Sequence, residues 1–409
     1  MSHPFSELNK HISWSKCTIE QARIDIPAAI EEAKQSLQKI KSKTPTYDDT
    51  IMGFELLLTP LYRSWNILQH INSVNGTEES RNAIQELLPQ VITFSSELYV
   101  DEELWQIIQK AEETSQDVSE LQKKHIEETK LEFIKNGALL PDEDKKKLMA
   151  IDQELGKITQ QYANNILKDK SAFEKIVTDK DMLQGLPNSA KDAALQLAIS
   201  KEYATKEDPK WLFTLDMPSY LPVQKFADNA DLRKEMFFAM LDVGRSEKHN
   251  NMPIIKNILQ LRREKAQLLG YKNFPDMILE RRMAQSGSKA LAFVEELFEK
   301  SKVQFDKEVL QLQEYKQKSL VDEHSTELNP WDMLYYQQKM EQEYHQFNDE
   351  ILRPYFSLPK VMQGFCDLAN DLYGIRIEEI EKKDLSTDGH TSDEIWHETV
   401  KSYEIYDSD

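Results

Sequence analysis

The stretch NGALLPDEDKKKLMAIDQELGKITQQYANNIL, residues 136–167, decides the fold class. Gly137 suits the left-handed residue that ends one helix, and Pro141 suits the first turn of the next. Leu148, Ile151, Leu155, Ile158, Tyr162 and Ile166 then follow at spacings of three or four. One face is apolar for about five turns, which is the pattern of a long helix in a helical hairpin.

The same period extends upstream. Ala28, Ile30, Ala33, Leu37 and Ile40 predict a helix that stops at Thr44-Pro45. Ile51, Phe54, Leu58, Leu61, Trp65 and Leu68 predict a second over 48–71, broken by Asn75-Gly76-Thr77. Further helices are expected over 80–98, 101–113 and 116–136. Downstream, Trp211–Leu215 is the best strand candidate, ended by Asp216-Met217-Pro218-Ser219-Tyr220. Helices resume near 223, run from Ile254 to Leu269 before Gly270, and continue over 287–318 and 330–351. Asn329-Pro330-Trp331-Asp332 opens the last of these, after a solvated loop at Val321–Leu328.

Near the carboxyl end the pattern changes. Tyr373–Ile377 and Val400–Tyr406 alternate as strands do. The second leads into Asp407-Ser408-Asp409 with no visible partner, so the chain is expected to stop inside a domain. No repeat of fixed period runs through the sequence.

Composition agrees with a helical reading. Average usage would give roughly 29 glycines in a chain this long, and there are 11 among the 409 residues. Hydrophobic residues at 40% suffice for the cores of two or three domains. Lys and Arg number 51 against 71 Asp and Glu, a formal charge of −20. That balance excludes a phosphate-neutralising nucleic-acid binder and suits a protein kept dispersed by its charge. Cys17 and Cys366 form no Cys-x-x-Cys pair, as expected in a reducing compartment. No signal peptide and no bilayer-length apolar run is visible. The expectation is a cytoplasmic protein with no membrane or nucleic-acid partner.

Reaction motifs are scarce. A zinc protease helix carries two imidazoles four residues apart with a glutamate beside the first. His397-Glu398 begins that pattern, but Lys401 stands where the second imidazole belongs. His397 therefore reads as a surface histidine. His390 lies seven residues away, and His324 and His345 have no matching carboxylates. Gly287, between Ser286 and Ser288, lacks the Gly-x-Ser-x-Gly elbow. No phosphate loop or dinucleotide fingerprint occurs, and Cys366 reads as an inert thiol in an apolar helix. Trp331, Tyr335, Tyr336, Tyr344, Tyr355 and Phe356 form a dense aromatic group. It reads first as helix packing and second as a group of which some members, such as Tyr335, line a peptide groove.

Several words nevertheless occur together and in a characteristic order. They are Gly137-Ala138-Leu139-Leu140-Pro141, Trp211–Tyr220, Pro253–Tyr271, Pro330-Trp331-Asp332 with Tyr335-Tyr336, Leu352–Phe356, Leu372–Ile375 and Ile395-Trp396-His397. Together they make the chain resemble the thimet oligopeptidase family of zinc metallopeptidases over most of its length. The resemblance implies a mostly α, elongated, multi-helix architecture whose lobes flank a deep channel, with a few short strands near 211–215 and 373–406. It also implies an N-terminal helical domain over 1–155 and a connecting helical segment with a short strand over 156–225. Residues 226–409 would be the first part of the peptidase domain.

For function, the resemblance implies hydrolysis of short peptides by a monomer whose zinc ion, one per chain, activates water beside a glutamate. In that family the His-Glu-x-x-His helix lies beyond the last residue here. No catalytic, cofactor-binding or metal-ligating residue is therefore assigned within 1–409, no zinc is expected on this chain, and the chain alone is expected to be inactive. A non-catalytic helical module that binds peptides or another partner is the alternative.

Overall fold

The computed structural model describes residues 3–8, 12–115, 117–319, 327–346, 351–380 and 395–407. The chain divides into two compact units. One comprises residues 1–160, 260–274 and 364–409, and the other residues 161–259 and 275–363.

The first unit is built on five helices: α1 Ile19–Ser42, α2 Gly53–Asn75, α3 Glu78–Val100, α4 Glu102–Thr114 and α5 Glu120–Lys135. Their starts are set by short polar side chains that accept otherwise orphaned N–H groups. Thr18 accepts from Gln21, Asp101 from Leu104, and Thr77–Ser80 and Ser119–Gln122 form reciprocal capping boxes. Residues predicted on apolar stripes fill the core, among them Ala33, Leu37, Ile40, Ile51, Phe54, Leu58, Leu61 and Leu68. Phe133 is its hub. It is fully buried, with ring centroids 5.1 Å from Phe54 and from Tyr99 and 6.1 Å from Trp105.

α5 ends as the sequence predicts. Ala138 N–H donates to Phe133 O and Gly137 N–H to Ile134 O, the paired bonds of a Schellman motif. Gly137 sits at φ +96°, the left-handed conformation that favours glycine, and a Cβ there would also press on the tip of the Leu148 side chain at 2.5 Å. The next helix, α6, runs Asp142–Ala172. At Gly156 a Cβ would meet Ile92 at 2.2 Å, which shows how closely α6 approaches α3. A two-stranded antiparallel sheet also belongs to this unit: β3 Arg376–Ile380 pairs with β4 Ser402–Tyr406, Ile377 opposite Ile405. This corrects the expectation that the last strand lacks a partner. The mate lies upstream, across a separation too long for turn chemistry to announce.

The second unit pairs β1 Lys175–Val177 with β2 Trp211–Phe213, antiparallel. α7 Asn188–Ser200, α8 Met217–Phe226 and α9 Ala230–Leu241 surround that ribbon. Val177, Leu183, Leu186, Trp211, Phe213, Val223, Leu232 and Met236 make the core. The strand at 211 and the helical character of the segment that carries α7 were legible, whereas the three-residue partner strand was not. Asp216–Tyr220, expected as a turn, starts α8, with Pro218 in its first turn.

α10 Met252–Leu268 and α11 Phe274–Leu279 follow, then α12 Gly287–Ser319, α13 Met333–His345 and α14 Leu358–Tyr373. Within the second unit, α12 and α13 pack through Leu312, Tyr315, Tyr335 and Tyr336. Asp169 ties down the loop between α9 and α10: Gly244 N–H, Ser246 Oγ and His249 Nδ1 all reach its carboxylate, at 2.6–2.8 Å. Burial would raise that carboxyl, but these bonds prevail and hold it below its ordinary value. Among the described residues no helix is long and apolar enough to cross a membrane.

Candidate functional site

The aromatic residues singled out in the sequence separate in the structure. Tyr335 and Tyr336 are buried, their rings edge to face at 5.1 Å. Trp331 stands against Phe238 at 5.5 Å. Tyr344, Tyr355 and Phe356 are exposed. The packing reading therefore holds for the first two, and Tyr335 does not line an open groove. Its hydroxyl donates to Asp228 Oδ1 at 2.7 Å, while its ring lies 4.1 Å from the Arg233 guanidinium carbon.

Arg233 is the centre that sequence reading missed. It is 2% exposed and carried on α9 between core residues Leu232 and Met236. Nη2 donates to Asp332 Oδ1 at 2.7 Å, Nη1 to the carbonyls of Ala227 and Asp228, and Nε to that of Trp331. The second oxygen of Asp332 accepts from Lys316 Nζ at 2.8 Å and from the Asn329 side chain at 3.2 Å. Two cations and one carboxylate are thus buried together. Burial on its own would raise the Asp332 carboxyl, yet the bonds from Lys316, Arg233 and Asn329 outweigh it and keep the group below the usual range. An acid held ionised this firmly exchanges no proton near neutrality, so the triad is a clamp joining α9, α12 and the start of α13.

Beside the clamp opens a cleft of about 460 Å³ lined by Gly185, Asn188, Lys225, Gln338, Lys339 and Gln342, among others. Lys339 pairs with Asp228 at 3.1 Å. Burial would raise the Asp228 carboxyl, but Tyr335 and Lys339 hold it down. Pro187 is the N-cap of α7, which has no side-chain cap. Gly185, at φ +82°, forms part of the wall, and a Cβ there would stand 2.1 Å from Phe226 O and 2.8 Å from Asp228. Gly185→Ala is expected to destabilise the protein by about 1–3 kcal/mol through backbone strain alone, read as a shift in urea midpoint. An unchanged midpoint would mean that the turn relaxes freely.

The other candidates are placed plainly. His397 is exposed, and its Nδ1 bonds to Thr399 rather than to any gathered donor set. Lys401 pairs with Glu379. His345 ends α13 in solvent. His324 and His390 lie outside the described residues. Gly287 opens α12, its N–H given to Asp276 Oδ1 at 2.7 Å, so Ser286 and Ser288 flank a helix start and not a nucleophile elbow. Cys366 is half-buried on α14, less enclosed than expected, because that helix buries little of its apolar face. Among the described residues no three His, Cys, Asp or Glu side chains are gathered to hold a metal ion.

Sequence comparison gives this helical framework a family. Residues 223–409 match the family model of peptidase family M3, and residues 26–145 match that of the neurolysin/thimet oligopeptidase N-terminal domain. The chain belongs to this family of peptidases. It is 33% identical over 393 residues to the organellar oligopeptidase A, chloroplastic/mitochondrial, of Arabidopsis thaliana, covering 94% of this chain and 48% of that protein. To the oligopeptidases A of Haemophilus influenzae and Escherichia coli it is 30% and 31% identical, covering 100% and 96% of this chain and 58% and 57% of theirs. It spans about half the length of the curated relatives it matches.

Proposed function

We propose that these 409 residues are the substrate-handling framework of a zinc-dependent oligopeptidase that hydrolyses short peptides in the cytoplasm. The observation that carries this reading is the order of the two family matches, the N-terminal domain at 26–145 and the peptidase family at 223–409. Those bounds support an N-terminal helical domain over 1–155, a connector over 156–225 and the first part of a peptidase domain over 226–409.

In this reading zinc supplies the activated water. The described residues do not fit a zinc ion: His397 lacks a second imidazole four residues on, and no donor trio is gathered elsewhere among them. No hydrolytic step is therefore derived through the metal. What this chain's own residues do is hold a rigid wall. The Arg233–Asp332–Lys316 clamp fixes α9 and α13, and with them the Lys339 and Gln338 side chains at the cleft.

The test uses a quenched oligopeptide, the purified chain, added zinc and a chelator. The expected result is no chelator-sensitive turnover by the chain itself. Turnover that zinc raises and the chelator abolishes would show that residues 1–409 hold a working metal centre, and the framework assignment would fall.

A further inference from the structure

We propose that the cleft between the 185–189 turn and α13 is a subsite for the C-terminal carboxylate of a short peptide. The proposal rests on the peptide-handling reading and assigns it a place.

Four observations converge there. Gln338 is 5% exposed and lines the cleft, and its side-chain amide has no hydrogen-bond partner among the described residues. The rest of the side chain is enclosed, so the amide is held in place at the cleft surface with its hydrogen-bonding capacity left for a ligand. Lys225, half-buried in the same wall, has no carboxylate partner among the described residues, although acidic groups outnumber basic ones by 71 to 51. α7, 13 residues long, directs its N-terminal residues Asn188 and Ser189 at the cleft with no side-chain cap, and a helix start favours negative charge. Asp228, the carboxylate close by, is already met by Tyr335 and Lys339.

The chemistry selects the ligand. Lys225 and the α7 N-terminus call for an anion, while Gln338 and Gln342 each offer one donor face and one acceptor face. A peptide terminus answers both needs, placing its carboxylate against Lys225 and its last peptide group against the amides. Inorganic phosphate answers chiefly the first. The volume, about 460 Å³, lies within the range of small-ligand sites, roughly 300–1,000 Å³.

The experiment uses the full chain with ¹⁵N-labelled glutamine side chains, Gln338 being assigned by its loss in Gln338→Leu. N-acetyl-tetra-alanine is titrated as the free acid and as the C-terminal amide, with inorganic phosphate as a third probe and calorimetry in parallel. The free acid is expected to shift the Gln338 amide saturably and to bind at least about tenfold more tightly than the amide. Lys225→Met should remove that preference while leaving affinity for the amide unchanged. Equal binding of acid and amide, or an indifferent Lys225→Met, overturns the proposal. So does a Gln338 shift with phosphate but not with peptide, which would mark a simple anion site. Peptide binding seen by calorimetry with a silent Gln338 would reject the cleft and leave the peptide-handling reading standing. Absence of any peptide binding would reject both.

Discussion

Asp332→Ala is expected to cost about 3–5 kcal/mol of stability, because it strands two buried cations. Arg233 and Lys316 are 2% and 5% exposed, and the side-chain oxygens of Asp332 are their shared carboxylate. Neither ammonium nor guanidinium can reach water without opening the α9–α12–α13 contact. Urea unfolding monitored by circular dichroism measures the loss. A companion variant separates charge from packing: Arg233→Met, Lys316→Met and Asp332→Leu together should lose far less, since an apolar replacement of a whole buried ion cluster is often close to neutral. A single-variant loss below about 1 kcal/mol, the level of a surface pair, would show that the clamp is solvated.

The same carboxylate fixes a pH dependence. Its folded pKa lies below the ordinary carboxylate value, so its contribution is complete above the unfolded pKa of about 3.9. It is lost as pH falls from there through the lower folded pKa. Asp332→Asn should flatten that part of the stability curve.

Phe133→Ala is expected to cost about 3–5 kcal/mol in the other unit, the range for emptying a fully buried aromatic site. Phe54, Tyr99 and Trp105 all face the Phe133 ring, on three different helices, so no single neighbour can close over the space. Phe133→Leu should recover much of the loss. Hydrogen exchange should rise first in α2, α3 and α5, and protection left unaltered there would contradict the hub role.

The parts of the fold that could be read from sequence were those written in local chemistry. Gly137 and Pro141 announced the junction between α5 and α6 because a left-handed residue and a missing N–H are requirements of single positions. The stripes of α1 and α2 were legible because burial of one helix face needs a period of 3.6. β1 was not, since three residues carry no period, and α7 was foreseen only as helical character within 156–225, without bounds of its own. The candidate site was hidden for a different reason. Arg233 looks like any surface arginine until Leu232 and Met236 are known to be buried beside it, and its partner stands 99 residues away. Asp332 was seen, but as the opening of a helix. The aromatic neighbours Tyr335 and Tyr336 were marked correctly as packing residues, and the carboxylate that Tyr335 holds in place was not foreseen.

The long reach of that clamp also bears on the order in which the molecule assembles. The bundle α1 to α5 occupies one continuous stretch, and each helix meets neighbours close to it in sequence, the contact pattern of fast folders. Arg233 must wait for Asp332, and Asp228 for Tyr335, 99 and 107 residues later. At translation rates of roughly 5–20 residues per second, that wait is about 5–20 s. The α1–α5 bundle can be packed while α9 still carries an unpaired guanidinium on its core face, so the Arg233–Asp332 clamp closes after that bundle and is exposed to error while the chain is being made.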